Sequence, residues 1–312
     1  MRIFLMIVAA MLMLTACSSG EPVSQDSPKA KDQENTANPQ EAEKGTKKNE
    51  TADGGKSQNG SNMEKAKSDQ PKKNEQQAKE EKGDQPKEKP DKEKPLKPKY
   101  KMTENYYIEP IGDADPKVVL LTIDDAPDEH AVEMAKTLKE LNAPAIFFIM
   151  GTFIDNKEGK QKIEKIHEMG FPVGNHTVTH PTLSQIPKEE QKEEIIPVYK
   201  ELKKLTGEPV KFFRAPHGDN TDLSDKLAAE RDVLVMNWSY GYDWHSEYQD
   251  PEALTKIMLH PDPEGLLRNG AILLMHDRDW TAKALDDIVK GLRKQGYKIL
   301  DPALLKTPGS GK

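Results

Sequence analysis

The sequence predicts an α/β fold with a mostly parallel sheet for its C-terminal region, residues 100–312. Short apolar runs alternate there with longer amphipathic stretches of helical period, which gives about seven strands and six helices. Reactive polar side chains follow successive apolar runs, as expected where a site forms at the carboxyl ends of parallel strands. Periodicity does not distinguish an open, doubly wound sheet from an incomplete barrel.

The predicted strands are short apolar runs bounded by charged, Gly or Pro residues. They comprise residues 118–123, 145–150, 171–173, 211–213, 233–237, 271–275 and 297–300. The predicted helices are the amphipathic stretches between them, at 129–141, 157–169, 188–205, 223–230, 251–259 and 281–294. This alternation is the pattern of successive β-α units in a parallel sheet.

Residues 1–16 are predicted to be the signal peptide of a lipoprotein. Arg2 precedes an apolar run at 3–14 that is too short to span a bilayer, which takes about 20 apolar residues. Residues 14–17, Leu-Thr-Ala-Cys, resemble the lipobox of bacterial lipoproteins, which implies that cleavage leaves Cys17 as a lipidated N-terminus. The alternative is an ordinary secretory signal with an incidental cysteine. We expect a protein anchored by lipid to the extracytoplasmic face of the cell membrane.

Residues 17–99 are predicted to be a disordered, charged linker. From residue 18 to 99 the chain has no Phe, Trp or Tyr, and 18 Lys stand against 17 Asp and Glu. Such a segment cannot bury enough apolar surface to offset the entropy of ordering. Residues 100–312 carry 36 acidic and 27 basic residues, so nucleic acid is not expected as a partner. We expect a monomeric domain on a tether.

Five successive strand ends carry polar groups capable of chemistry. His176 and His180 follow the third strand four residues apart, so they can direct two imidazoles to one point. A catalytic zinc usually has three protein ligands and an open position, and imidazole suits zinc and its neighbours. Such a pair alone is more often a surface pair, so the prediction depends on the other strand ends. These supply Asp124 and Asp125, Arg214 and His217, Asp243 and Trp244, and His276 and Asp277.

One of two adjacent aspartates at the end of the first strand can complete the ligand set. Side chains of neighbouring strand residues point to different sides, so Asp124 and Asp125 are not expected to share one role. A set of two histidines and one aspartate leaves positions for water and a polarised carbonyl, as in hydrolytic metal sites. Without the histidine pair, turn formation and helix capping would be the more common use of these aspartates.

Five ordered motifs between residues 117 and 300 resemble those of the polysaccharide deacetylases with a NodB homology domain, carbohydrate esterase family 4. Residues 122–125 (TIDD) are similar to T-F-D-D, 176–180 (HTVTH) to H-S/T-x-x-H, and 214–218 (RAPHG) to R-x-P-Y-G. Residues 243–244 match the end of D-x-x-D-W, and 274–276 match L-x-H. The resemblance implies a distorted (β/α)7 barrel, which agrees with the strand count.

The resemblance also implies a divalent-metal site, for which zinc is expected, with cobalt or another transition metal as the alternative. Its ligands would be Asp125, His176 and His180. Asp124 would act as general base and His276 as general acid. The implied reaction is removal of N-acetyl groups from N-acetylglucosamine-type residues of an envelope polysaccharide, with peptidoglycan as the first candidate.

The remaining motif residues are implied to support catalysis or bind substrate. Arg214 would position the base and Asp243 would orient the acid, although a structural ion pair is the alternative for each. His217 would contribute its backbone N–H to hold the developing oxyanion. Trp244 and Leu274 would line the substrate pocket, with plain core packing as their alternative.

Three positions depart from the family pattern. Ala126 replaces glycine, His217 replaces tyrosine, and Tyr240 stands at the first aspartate of D-x-x-D-W. None of them removes a proposed ligand, base or acid, so we expect activity with an altered substrate preference. They leave open a catalytically impaired, glycan-binding lipoprotein. A third hypothesis is a wall protein that acts mainly through its charged tail.

Overall fold

The computed structural model describes residues 96–260 and 265–310, so the predicted signal peptide, Cys17 and the linker up to residue 95 lie outside it. Its strands are β1 (Tyr100–Met102), β2 (Ile108–Pro110), β3 (Val118–Ala126), β4 (Ala145–Ile149), β5 (Val173–Asn175), β6 (Phe212–Phe213), β7 (Leu234–Val235), β8 (Ile272–His276) and β9 (Lys298–Ile299). Its α-helices are α1 (Ala131–Glu140), α2 (Lys157–Glu168), α3 (Lys188–Thr206), α4 (Asp222–Ala229), α5 (Pro251–Leu259) and α6 (Asp279–Lys294). None of these helices is long and apolar enough to cross a membrane.

Strands β3 to β9 form one sheet whose pairs are all parallel. The strand order is β7-β6-β5-β4-β3-β8, and β9 pairs with the first two residues of β3. The segment after β7 reaches β8, where Tyr240 forms a parallel bridge to Leu273 and joins the two ends of the strand order. The predicted distorted (β/α)7 barrel is confirmed, and its strands and helices begin and end within a few residues of the predicted positions.

A short antiparallel hairpin, β1–β2, was not predicted, because a charged residue, Lys101 or Glu109, interrupts each of its three-residue strands and neither is an apolar run. It packs beside the start of β8, where the Ile108 N–H donates to the Gly270 carbonyl oxygen over 2.7 Å. Gly270 has φ +81°, and a Cβ at this position would collide with the Ile108 carbonyl. Glycine is therefore required where the hairpin meets the barrel.

Strand β3 is the centre of the core, since all nine of its residues are buried. Leu121 and Ile123 pack with the helices that surround the sheet, whereas Leu120 packs with Ile146 and Phe148 in a second apolar cluster. This division follows the alternation of side chains along a strand. Burial of these apolar side chains on both faces holds β3 in the sheet, and Asp124 and Asp125 follow them at its carboxyl end.

Strand β3 ends in an irregular segment that places the two aspartates. Its pairing register with β4 shifts between Ile123 and Ala126, and Asp125 has φ +56°. Such a bulge turns a side chain away from the strict alternation of a regular strand. The expectation that Asp124 and Asp125 point to different sides is therefore wrong, because the bulge directs both carboxylates toward the imidazole of His176.

Candidate metal centre and active site

The predicted site residues come together at the carboxyl ends of the barrel strands. They comprise Asp124 and Asp125 on β3, His176 and His180 after β5, Arg214 and His217 after β6, Asp243 and Trp244 after β7, and Leu274 and His276 on β8. Strand β3 pairs with β8 in the register Asp124 to His276, which brings the first and last motifs side by side.

Asp125, His176 and His180 form the only group of metal-binding side chains found among the described residues. Asp125 Oδ1 lies 3.7 Å from His176 Nε2 and 3.5 Å from His180 Nε2. Ligand atoms around a tetrahedral zinc with bonds of about 2.1 Å are about 3.4 Å apart, so the spacing fits. Asp125 Oδ1 is also buried without a hydrogen-bond partner, which is the state expected of an atom that a cation completes.

The ring of His176 is oriented for metal binding. Its Nδ1 lies 2.8 Å from the Arg214 carbonyl oxygen, which can only accept, so Nδ1 carries the proton and Nε2 presents its lone pair. Burial lowers the pKa of His176 to about 3. Burial likewise lowers the pKa of His180, against the charge of Asp125. Both imidazoles are therefore favoured in the neutral form that a metal requires.

The histidine pair lies on a loop and not on a helix, and this loop is held from two sides. Thr177 and His180 have φ of +68° and +65°, values that cost side-chain-bearing residues free energy. The Asn175 side chain accepts the Thr177 N–H over 2.9 Å. The carboxylate of Glu194 on α3 accepts the N–H groups of Val178 and Thr179 and the Thr179 hydroxyl, over 2.7 to 2.9 Å.

Asp124 is paired with Arg214 inside the barrel. Arg214 is fully buried, and its Nη1 donates to Asp124 Oδ1 over 2.7 Å and to Thr122 Oγ1 over 2.8 Å. The charge of Arg214 acts to lower the pKa of Asp124, which favours the ionised form. Burial has the larger effect, and it raises the pKa of Asp124 although Arg214 opposes it.

His276 and Asp243 form a second pair across the site. His276 Nδ1 lies 2.7 Å from Asp243 Oδ1, and Asp243 Oδ2 accepts the His276 backbone N–H and the Thr281 hydroxyl over 2.6 and 2.8 Å. Burial acts to lower the pKa of His276, but the charge and hydrogen bond of Asp243, together with the charges of Asp124 and Asp125, raise that pKa. The charged form of His276 is thus stabilised through Nδ1, and Nε2 takes no part in the contact with Asp243.

Trp244 and Leu274 lie where the resemblance implies a pocket wall. The Trp244 side chain is among the few exposed large apolar groups, at 44%. Its ring lies 5.9 Å from the His276 ring, edge to face, and it is flanked by Trp238 and Tyr242. Leu274 is buried on β8 two residues before His276, so its side chain projects on the same face of the sheet.

The three departures from the family pattern have different surroundings. Ala126 is buried in β3 and does not have positive φ, so this backbone accepts alanine. The ring of Tyr240 is directed away from the strand ends, and its hydroxyl donates to carbonyl oxygens of Ile257 and His260 at α5. His217 is exposed at φ +58°, with its ring 4.7 Å from that of His180. Of the three, His217 has its side chain beside that of a candidate ligand.

Several residues that hold the site were missed by sequence reasoning. Arg278 donates from Nη2 to Asp125 Oδ2 over 2.7 Å, and Glu194 fixes the histidine loop. The carboxylate of Asp277, noted only as a polar strand end, accepts the N–H groups of Asp128 and His130. Each of these contacts joins distant parts of the chain, and the sequence carries no local signal for them.

A cavity of about 390 Å³ opens beside the metal-binding group and is lined by Asp125, Asp128, Met150, Phe153, His180 and Arg278. A second cavity of about 510 Å³ lies between α5 and α6 and contains none of the predicted site residues. The smaller one is the chemically relevant cavity, because its wall includes two of the three candidate ligands.

The sequence profile of the family described as polysaccharide deacetylase matches residues 111–235. A peptidoglycan-N-acetylglucosamine deacetylase of Bacillus cereus is 31% identical over 198 residues, which cover 61% of this chain and 68% of that relative. A chitooligosaccharide deacetylase of Bradyrhizobium sp. is 27% identical over 199 residues, which cover 58% of this chain and 87% of that relative. Among solved structures, a carbohydrate esterase family 4 pseudoenzyme of Bacillus anthracis has a TM-score of 0.54 and 26% identity, covering 62% of this chain and 68% of its own.

Proposed function

Because this chain belongs to the polysaccharide deacetylase family, we propose that it removes N-acetyl groups from N-acetylglucosamine-type residues of peptidoglycan in a metal-dependent hydrolysis. One observation carries the proposal. The metal-binding group Asp125, His176 and His180 lies beside a buried carboxylate, Asp124, which is suited to accept a proton and is the register partner of His276, an imidazole suited to donate one.

The metal proposed for this group is zinc. Two neutral imidazoles and one carboxylate form a common ligand set of catalytic zinc, and cobalt is a suitable substitute. When bound, the ion supplies a water of lowered pKa and a Lewis acid for the acetyl carbonyl oxygen.

Asp124 is the proposed general base. Its Oδ1 is occupied by Arg214, so Oδ2, which lies 3.6 Å from His176 Nε2, is the atom that accepts the proton of the attacking water. Arg214 has no freedom to move, because it also donates to Thr122 Oγ1 and to the Asn237 carbonyl oxygen. The base is thereby held in one orientation.

His276 is the proposed general acid. Its Nδ1–H is held by Asp243 at 2.7 Å, which leaves the Nε2 proton for the amine that departs when the amide breaks. The backbone N–H of His217 is proposed to stabilise the oxyanion. Trp244 and Leu274 are proposed to enclose the acetyl group and the sugar.

The substrate and the location are proposed together. The Bacillus cereus relative is named for peptidoglycan N-acetylglucosamine, and a lipid anchor at Cys17 with a tether up to residue 99 would place a monomeric catalytic domain near the cell wall. Chitooligosaccharides are the second substrate class, in view of the Bradyrhizobium relative.

A glycan-binding protein without turnover is the second candidate function. It is motivated by the Bacillus anthracis pseudoenzyme and by the substitutions at Ala126, His217 and Tyr240. The ligand set and the two charge pairs, Asp124 with Arg214 and His276 with Asp243, favour a catalytic function. Each depends on several aligned contacts that glycan binding alone would not require.

The deciding experiment measures acetate release by the chain from residue 18 onward. Peptidoglycan and chitooligosaccharides are each incubated with protein that carries zinc or cobalt. The proposal requires release from at least one of them and its loss after chelation. Glycan binding without acetate release, in both metal forms, would favour the second candidate.

A further inference from the structure

Arg278 touches the metal-binding group although no motif contains it. It lies in the loop between β8 and α6, and its Nη2 donates to Asp125 Oδ2 over 2.7 Å. Its Nη1 donates to the carbonyl oxygen of Asp277 over 3.0 Å, so the guanidinium is fixed by two hydrogen bonds. The side chain is 35% exposed and forms part of the wall of the 390 Å³ cavity.

This contact makes the two oxygens of Asp125 unequal. Oδ2 is occupied by Arg278, whereas Oδ1 is buried, has no hydrogen-bond partner and faces both histidines. A carboxylate can bind a metal through one oxygen or through two, and the second mode uses a coordination position that water or substrate would otherwise take.

We propose that Arg278 is a positioning residue that holds Asp125 to the metal through Oδ1 alone and so keeps coordination positions open for water and the acetyl carbonyl. The inference rests on the proposed function for its catalytic consequence. Its structural part, binding through one oxygen, concerns only the metal-loaded protein. Groups that orient a ligand from behind typically change metal affinity or activity by about 10- to 100-fold when removed.

A purely structural ion pair explains the contact less well. Anchoring of the segment between β3 and α1 is already provided by Asp277, which accepts the N–H groups of Asp128 and His130. Asp128 also offers Arg278 a more exposed carboxylate, yet its Oδ2 lies 3.9 Å from Nη1 while Asp125 Oδ2 lies at hydrogen-bond distance. The guanidinium is therefore directed to the metal-binding carboxylate.

The test compares the visible absorption of Co²⁺-loaded wild type, Arg278→Met and Arg278→Lys, because the intensity of cobalt bands falls as the coordination number rises. We expect weaker bands in the methionine variant, a kcat lower by about 10-fold with KM nearly unchanged, and partial recovery with lysine. Lys283→Met is the matched control, since it removes a cation on α6 that pairs with the exposed Asp279 and lies outside the metal-binding group.

Unchanged bands and unchanged Co²⁺ affinity in Arg278→Met would overturn the proposal. A lower melting temperature with wild-type bands would overturn it as well, because it would indicate a structural role. If the methionine variant does not fold, Arg278→Gln takes its place with the same expectation, since its neutral amide is too short to keep the contact. If wild type binds Co²⁺ but releases no acetate, the proposed function is contradicted. The role of Arg278 is then decided by the Co²⁺ spectra of wild type and Arg278→Met alone.

Discussion

Arg214 Nη1 lies 2.7 Å from Asp124 Oδ1 inside the barrel, where the exposed fractions of the two residues are 0% and 2%. The face of the guanidinium packs on Phe148, with 4.3 Å between its central carbon and the ring centroid. Burial and the arginine act on the Asp124 pKa in opposite directions, and burial prevails, so the pKa is raised. A raised pKa makes this carboxylate a stronger base than an ordinary aspartate, while Arg214 keeps it available in the ionised form.

Replacement of Asp124 by asparagine should abolish most of the activity without removing the metal. Loss of a general base lowers kcat by about 10²- to 10⁴-fold, whereas Asn retains an oxygen that can accept from Arg214. Acetate release and metal content of the purified variant are the measurements. Asp286→Asn, which changes an aspartate on α6 that pairs with Lys290 away from the site, is the control and should retain near wild-type kcat. Activity of Asp124→Asn within twofold of wild type would contradict its role.

Metal binding should raise the free energy of unfolding. A ligand that binds only the native state contributes about 2.7 kcal/mol at 100 times its Kd, which differential scanning calorimetry detects as a higher melting temperature with added zinc. His180→Ala should lose most of this increase, because it removes one of three ligands. His167→Ala, at the end of α2, should retain it. An equal zinc effect in all three proteins would place the ion elsewhere.

The alternation of strands and helices could be predicted from local periodicity, because each element is encoded by its own residues. Periodicity left an open sheet and a barrel as alternatives, and the resemblance to the family implied the barrel. The histidine pair and the two aspartates could be assigned to one site because they follow strand ends, which a parallel sheet brings to one side. The choice of Asp125 as the ligand came from the resemblance to the family. The bulge at Asp125 could not be predicted, since it is a backbone irregularity that depends on the register between β3 and β4. Arg278 was missed for a related reason: its partner lies 153 residues away in the sequence.

Tyr240 illustrates the limit of motif comparison. It stands at the first aspartate of D-x-x-D-W, and it replaces none of the residues predicted as ligand, base or acid. In the structure its ring is directed away from the site and its hydroxyl donates to the Ile257 carbonyl oxygen on α5. The acid–base pair of His276 and Asp243 is present with tyrosine at this position, whose carbonyl oxygen accepts the Leu274 N–H and joins this segment to β8. A tyrosine at this position is therefore compatible with the pair.

Glu194→Gln should weaken metal binding although Glu194 is not a ligand. One carboxylate oxygen accepts two N–H groups of the histidine loop and the other accepts the Thr179 hydroxyl. An amide offers one acceptor fewer, so the strained loop conformation at His180 loses support. We expect Kd for zinc to rise by about 10-fold or more in a competition titration. Glu193→Gln, the exposed neighbour on α3, should bind zinc as wild type does; a matching loss there would indicate a nonspecific charge effect.

The pH profile of kcat/KM should be bell-shaped, and Asp243→Asn should move its basic limb. Activity requires protonated His276, so it is lost as the pH rises through the pKa of this residue, which Asp243 raises. Removal of that charge lowers the pKa, and the basic limb should shift to lower pH by about one unit or more. Asp243 also acts to raise the pKa of Asp124, so the acidic limb, where Asp124 becomes protonated, should move to lower pH by a smaller amount.

The control for this profile is Asp279→Asn, which removes an aspartate on α6 whose carboxylate pairs with Lys283 and not with the site. Its limbs should coincide with those of wild type at equal ionic strength. A basic limb that stays in place in Asp243→Asn would mean that another group supplies the proton to the leaving amine. A uniform loss of activity at every pH, with the metal retained, would instead mean that Asp243 orients His276 and does not set its pKa. The hydrogen bonds that Asp243 accepts from the His276 backbone and Thr281 would then explain the loss.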